Sequence, residues 1–169
     1  MATATFLGVR IANHDDESAI FNLLMLMHRE AGQFSFNDRK VREMIRRGTS
    51  QQNAIIGVVD GKTGIEATIG LILDSPWYSA DWHLAELFSF VHPSCRKESH
   101  APKLVNFSKW CADNITLPLV INAVLNKRTE AKVRLYKRMV PIMGTMFLYN
   151  NSPYVESPST PAYAVALGE

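Results

Sequence analysis

The stretch "LAELFSFVHPSCRKESHAPKL", Leu84–Leu104, changes its period halfway along. Leu84 to Val91 is an almost continuous apolar and aromatic run of strand length, which predicts a strand buried on both faces. From Ala101 the small and apolar positions recur at helical spacing instead, through Leu104, Val105, Ser108, Cys111, Ala112 and Ile115. Arg96, Lys97 and His100 crowd the point where the strand hands over to the helix. A helix N-terminus leaves backbone N–H groups without partners and carries a partial positive charge, so a loop delivering Arg96 and Lys97 there would suit a phosphate or pyrophosphate. On charge alone the plainer alternative is a solvated corner, because charged side chains are mostly exposed.

Working outward from this junction, "LPLVINAVL" (Leu117–Leu125) reads as a second buried strand, followed by a helix capped near Thr129 with Ala131, Leu135 and Met139 on one stripe. Strand, helix, strand, helix over Leu84–Met139 implies a right-handed crossover and a parallel strand pair, with chemistry at the carboxyl ends of those strands. Upstream, "NAIIGVVD" and "GIEATIGLILD" form an antiparallel hairpin, and the aromatic loop "SPWYSADWH" leads on to Leu84. "TFLGVRIA" (Thr5–Ala12) reads as a first strand, and Asn13 caps a helix whose buried stripe is Ile20, Leu23, Leu24 and Met27. A second helix starts at Asn37 and Asp38, buries Val41, Met44 and Ile45, and stops at Gly48. "IMGTMFLYN" and "AYAVAL" read as a last pair of strands across the Pro-rich loop "NSPYVESPSTP".

The chain has 169 residues, 47% of them apolar, which predicts one domain over residues 1–169 with a sizeable core. A net charge of +2 does not suit a nucleic-acid coat, so any anion site must be local and nucleic acid is not the expected partner. Cys95 and Cys111 fit neither a disulfide framework nor a paired zinc knuckle, and a reducing, cytoplasmic setting is the expectation. No basic leader precedes an apolar run at the N-terminus and no segment has the length of a membrane span, so no membrane partner is expected. His92, Cys95 and His100 do not have the spacing of a standard zinc set, so no metal is expected.

Two motifs then carry a family resemblance. "RKESHA" (Arg96–Ala101), just after a strand and opening a helix, resembles the pattern Arg/Gln-x-x-Gly-x-Gly/Ala of the GCN5-related N-acetyltransferase (GNAT) superfamily, and Val91, Pro93 and Arg96 resemble that family's strand exit. "NKRTEAKVRLYKRM" (Asn126–Met139) resembles its later motif, with Asn126, Ala131 and Tyr136 at the matching places. The order of elements is similar from about Phe6 onward. The resemblance implies a mixed α/β (α+β) fold: a mostly antiparallel sheet of about seven strands with a central, splayed parallel pair and flanking helices. Ser99 stands where the family has Gly, Pro102 removes one N–H from the first helical turn, and "MVPIMG" replaces the family's Gly-Phe.

The resemblance further implies acetyl transfer from acetyl-CoA to a primary amine. Phe88, Phe90 and Val91 would offer main-chain contacts, and Arg96, Lys97, Ser99, His100 and Ala101 would cradle the pyrophosphate. Asn126 would meet the pantetheine arm or the tyrosine helix, although an Asn after a strand is also an ordinary turn residue. Glu86, acidic in an apolar strand, is the first choice for the general base, or else a sheet glutamate facing solvent or paired with an arginine. Tyr136 is the candidate acid for the departing thiolate, or else a core tyrosine with a wet tip. His83 and His92 are reserve bases. The acceptor, a small molecule or a protein, would meet His28–Phe36, the Tyr154 loop and Trp77, Tyr78 and Trp82, which either wall a pocket or cover the sheet. Family members are often dimers, so a homodimer is allowed. The rival reading is an inactive GNAT-like binding protein that holds a macromolecule through Arg39, Lys40, Arg42, Arg46 and Arg47.

Overall fold

In the computed structural model, which describes residues 5–32, 34–62, 64–122 and 129–142, six strands lie side by side in the order in which they occur along the chain. They are β1 (Thr5–Phe6), β2 (Val9–Ile11), β3 (Ala54–Gly61), β4 (Gly64–Asp74), β5 (His83–Val91) and β6 (Leu119–Val120). Every neighbouring pair is antiparallel except β5 with β6. Helices α1 (Glu17–Ala31) and α2 (Asp38–Thr49) join β2 to β3, α3 (His100–Ile115) makes the crossover between the parallel strands, and α4 (Thr129–Met139) follows β6. This is the mixed, mostly antiparallel sheet with flanking helices and a parallel pair that the resemblance implies, with six strands among the described residues where about seven are expected. The proposed last two strands lie outside the described residues apart from Ile142.

The helices divide between the two faces of the sheet, and strand alternation sets which side chain meets which helix. Val9, Val59, Ala67, Ile69, Leu71 and Leu84 pack with Leu104, Phe107, Cys111 and Ala112 of α3. Ala12, Ile56 and Val58 face the other way, against Ile20, Phe21 and Leu24 of α1 and Ile45 of α2. Each face therefore has its own core, and β3 and β4 are covered on both sides, which is why they read as nearly unbroken apolar runs. Burial also pushes the Cys111 thiol up to about 12, so it stays protonated as an apolar core group. No helix among the described residues is long and apolar enough to cross a membrane.

Two local expectations are corrected. "TFLGVRIA" is not one strand: Leu7 and Gly8 both take positive φ, 51° and 81°, and fold the segment into the hairpin of β1 and β2. Both central residues at positive φ is the pattern of a tight turn whose twist matches the strands. Gly48 is not a stop signal either. It lies within α2, where an added Cβ would come 2.4 Å from the Ile56 side chain, so the residue serves close helix-to-sheet packing. Asn13 does cap as expected, accepting from the Asp15 N–H at 2.8 Å while Asp16 accepts from the Asn13 N–H at 2.8 Å. The turn it caps is a single 3-10 turn, His14–Asp16, that runs into α1.

Candidate active site

β5 carries one residue more than β4 can pair. Leu71 lies opposite Glu86 and Gly70 opposite Phe88, so Leu87 is the extra residue of a β-bulge. The bulge changes the parity of the strand. Leu84 packs on the α3 side, and after the extra residue Val91 packs on that side too, although the two are an odd number of positions apart. Phe88 is turned to the α1 and α2 side. Its ring lies across Gly70, where an added Cβ would sit 2.4 Å from it.

The parallel ladder comprises, among the described residues, Leu84 opposite Leu119 and Ala85 opposite Val120, and ends where the bulge begins. The Leu84 N–H donates to the Pro118 carbonyl at 2.8 Å, and Asn122 Nδ2 donates to the Glu86 carbonyl at 3.4 Å. Glu86 is the first residue past this ladder, 4% exposed, on the face covered by α3 and α4. Its carboxylate meets α4. Lys132 and Tyr136, one helical turn apart and so on one side of that helix, both reach it. Lys132 Nζ donates to Oε1 at 2.8 Å, and the Tyr136 hydroxyl reaches Oε1 at 2.9 Å and Oε2 at 2.8 Å. Since a phenol has one proton, this is one donor shared by two acceptors. Lys132 Nζ also lies 5.2 Å from the centroid of the Tyr136 ring.

The electrostatics follow from this enclosure. Burial first, then the charge of Glu86 and its hydrogen bond, push the Tyr136 phenol well above its ordinary range, against a smaller opposing effect of the Ser89 hydroxyl. Tyr136 thus keeps its proton at neutral pH and points it at a carboxylate. Of the alternatives for Glu86, neither solvent nor an arginine describes what is found: its ionic partner is a lysine. Lys132 is the residue that sequence reading missed. Its place four positions before Tyr136 puts both on one side of α4, but the sequence carries no sign of which carboxylate that side meets.

At the start of α3 the candidate cradle residues are only partly free. The Arg96 guanidinium is ion-paired with Glu30 near the end of α1, its Nε donates to the Val91 carbonyl at 3.3 Å, and it lies 5.5 Å from the centroid of the Phe90 ring. His100 is buried, with Nε2 2.8 Å from Oε2 of Glu66 on β4 and Nδ1 without a hydrogen-bond partner among the described residues. That bond to His100 is the first cause holding the Glu66 carboxyl below its usual range. Lys97 and Ser99 are exposed and Ala101 is half-buried. Ser99 has φ −81°, so the backbone here does not need glycine, and its side chain makes no cap to the first turn of α3. Pro102 is the third residue of that helix and brings no N–H. Asn126 and Tyr154 lie outside the described residues.

The remaining candidates fall elsewhere. His83 opens β5 opposite Asp74, and His92 is engaged with Ser94, Nδ1 to Oγ 2.7 Å. Trp77, Tyr78 and Trp82 are exposed, Trp77 by 96%, with Trp77 and Tyr78 packed edge to face, so these three do not cover the sheet. On α2, Arg39, Lys40, Arg42 and Arg46 are exposed and Arg47 is half-buried, while the Arg42 guanidinium lies 3.7 Å over the Phe21 ring.

No protein-family model matches this chain, and no curated protein matches it. Solved structures do. AAC(6')-Iy, determined with the bisubstrate analogue CoA-S-monomethyl-acetylneamine, superposes with a TM-score of 0.69 at 9% identity, over 86% of this chain and 98% of that one. A ribosomal-protein-alanine N-acetyltransferase from Brucella melitensis gives 0.65 at 12% identity, over 84% and 96%. A GNAT family acetyltransferase from Staphylococcus aureus gives 0.58 at 13% identity, again over 84% and 96%. The architecture of this chain is that of the GNAT acetyltransferases.

Proposed function

We propose that this GNAT-fold chain is an N-acetyltransferase that moves an acetyl group from acetyl-CoA to a primary amine by direct attack, with Glu86 as the base and Tyr136 as the acid. The observation that carries the reading is the buried, hydrogen-bonded pair of Glu86 and Tyr136 just past the described parallel ladder. A carboxylate can take a proton from an ammonium and so free the lone pair that attacks, and a phenol that is protonated at neutral pH is available to donate to a thiolate being formed beside it. Because the two groups are bonded to each other, Glu86 can return a proton to Tyr136 after each turnover. Backbone N–H groups of β5 around the bulge would be the fixed donors for the oxyanion that develops on the acetyl carbonyl.

Acetyl-CoA, when bound, supplies the thioester. This chain offers its diphosphate the uncapped first turn of α3, the exposed Lys97 and the neighbouring Ser99. The buried Nδ1 of His100, without a partner among the described residues, is a further polar atom at that end. Arg96 would join only by exchanging Glu30 for phosphate, so its contribution is smaller than its charge suggests. Phe88, Phe90 and Val91 as main-chain partners, and Asn126, are proposed from the resemblance alone. A structural neighbour determined with the bisubstrate analogue CoA-S-monomethyl-acetylneamine supports a small amine as acceptor.

The test is thiol release from acetyl-CoA over a panel of small amines and peptide N-termini, alongside calorimetric binding of acetyl-CoA. Amine-dependent release is expected, with kcat lowered by about 10²- to 10⁴-fold in Tyr136→Phe and the KM for acetyl-CoA little changed. Lys97→Glu, at an exposed position, should weaken acetyl-CoA binding without unfolding the protein. A folded protein that binds no acetyl-CoA would sink the proposal and leave the binding-scaffold reading.

A further inference from the structure

Resting on that reading of Glu86 and Tyr136, the geometry points to a modification site within the chain: we propose that Lys132 is itself acetylated, by intramolecular transfer from an acetyl thioester. An acceptor amine must contact the base while the acid stands ready for the leaving group. Lys132 already occupies that place. Its Nζ is 2.8 Å from Glu86 Oε1, the same carboxylate oxygen that Tyr136 reaches at 2.9 Å. Its side chain is 23% exposed, so the residue that holds its amine at Glu86 is not sealed from solvent. Lys97, Lys109 and Lys137 are exposed, and among the described residues none of them meets a buried carboxylate.

The protons and electrons balance as follows. Lys132 begins as an ammonium and gives one proton to Glu86, which passes it to solvent. The freed lone pair forms the N–C bond to the acetyl carbonyl, and the C–S bond breaks with its electron pair on sulfur. The thiolate takes the phenolic proton of Tyr136, and the second proton of the Lys132 nitrogen returns through Glu86 to Tyr136. The products are N-acetyl-Lys132 and free thiol. Acetylation removes the charge that pairs with Glu86, and an external amine that occupies the carboxylate first would protect Lys132.

The full-length protein is incubated with isotopically labelled acetyl-CoA, and label at each lysine is followed by peptide mass spectrometry. Lys132 should fill faster than Lys97, Lys109 and Lys137 by a factor on the order of ten or more, as expected of a positioned amine, with a rate constant independent of protein concentration. Glu86→Gln should abolish the preference. Lys132→Arg keeps a cation beside Glu86, should unfold in urea like the wild type, and should leave only slow labelling of the exposed lysines. A protein that binds acetyl-CoA in the calorimeter yet labels Lys132 no faster than those lysines overturns this inference and spares the transferase reading. Absence of acetyl-CoA binding removes the transferase reading, and this inference falls with it.

Discussion

Replacing Tyr136 by Phe removes one oxygen and keeps the ring, so the change isolates the bond between the phenol and Glu86. That hydroxyl meets both carboxylate oxygens, at 2.9 and 2.8 Å, and without it the carboxylate retains Lys132 as its charged partner. A hydrogen bond to a charged group contributes about 1.5–3 kcal/mol, which predicts a loss near ~2 kcal/mol and a shift of roughly 1 M in the urea midpoint at pH 8. The pH dependence is the sharper measurement. Tyr136 is pushed above the ordinary phenol value of 10.0, first by burial and then by Glu86. The folded state therefore keeps this proton where the unfolded chain has lost it. Its contribution is fully present below about pH 10 and declines above it, by about 1.4 kcal/mol at about pH 11, one unit past the unfolded value. The Phe variant lacks the group and lacks the decline. Unfolding free energies of both proteins from pH 8 to pH 11 should converge by that amount. Curves that stay parallel would refute the buried phenol and carboxylate pair.

Two further perturbations test the frame around the site. Gly70→Ala puts a Cβ where the Phe88 ring already lies, 2.4 Å away, and should cost about 1–3 kcal/mol in urea unfolding while lowering thioester turnover, because the ring and the bulge beside Glu86 must shift together. Arg10 forks between Asp16, at 2.7 and 2.8 Å, and Asp60, at 2.6 and 2.8 Å. That contact is the first cause holding the Asp16 carboxyl below its usual 3.8, so its stabilisation is present above that pH and is lost as the pH falls through the depressed folded value. Arg10→Met should be less stable by about 1.5–3 kcal/mol at pH 6, with a gap to the wild type that narrows below about pH 4. A gap that stays constant down to pH 3 would mean that Asp16 draws nothing from Arg10.

Local pattern made much of the architecture legible. The strand-to-helix switch at Leu84–Leu104, the cap at Asn13 and the apolar stripes of α1 and α3 depend on near neighbours, and the structure has them. Where reading failed, a distant partner decided. Gly48 looks like a helix stop until Ile56 arrives from β3, and "TFLGVRIA" looks like one strand until Leu7 and Gly8 turn it back on itself. At the site, Glu86 and Tyr136 were legible as an acidic residue in an apolar strand and a motif tyrosine. Lys132 was not, because its meaning depends on which carboxylate α4 is laid against.

By itself the sequence determined the order of elements from α1 to α4, the parallel pair and the side chains capable of acid–base work, since periodicity, caps and residue chemistry are local properties. Tertiary structure alone decided where the charges are spent. Arg96 and His100, both counted in the expected cradle, are turned to Glu30 and Glu66, while Lys132 is brought 2.8 Å from a residue 46 positions away. The reason is physical: a charge leaving water must find an opposite charge or a hydrogen-bond partner, and which one it finds is set by how the strands and helices pack, across separations that no window of sequence spans.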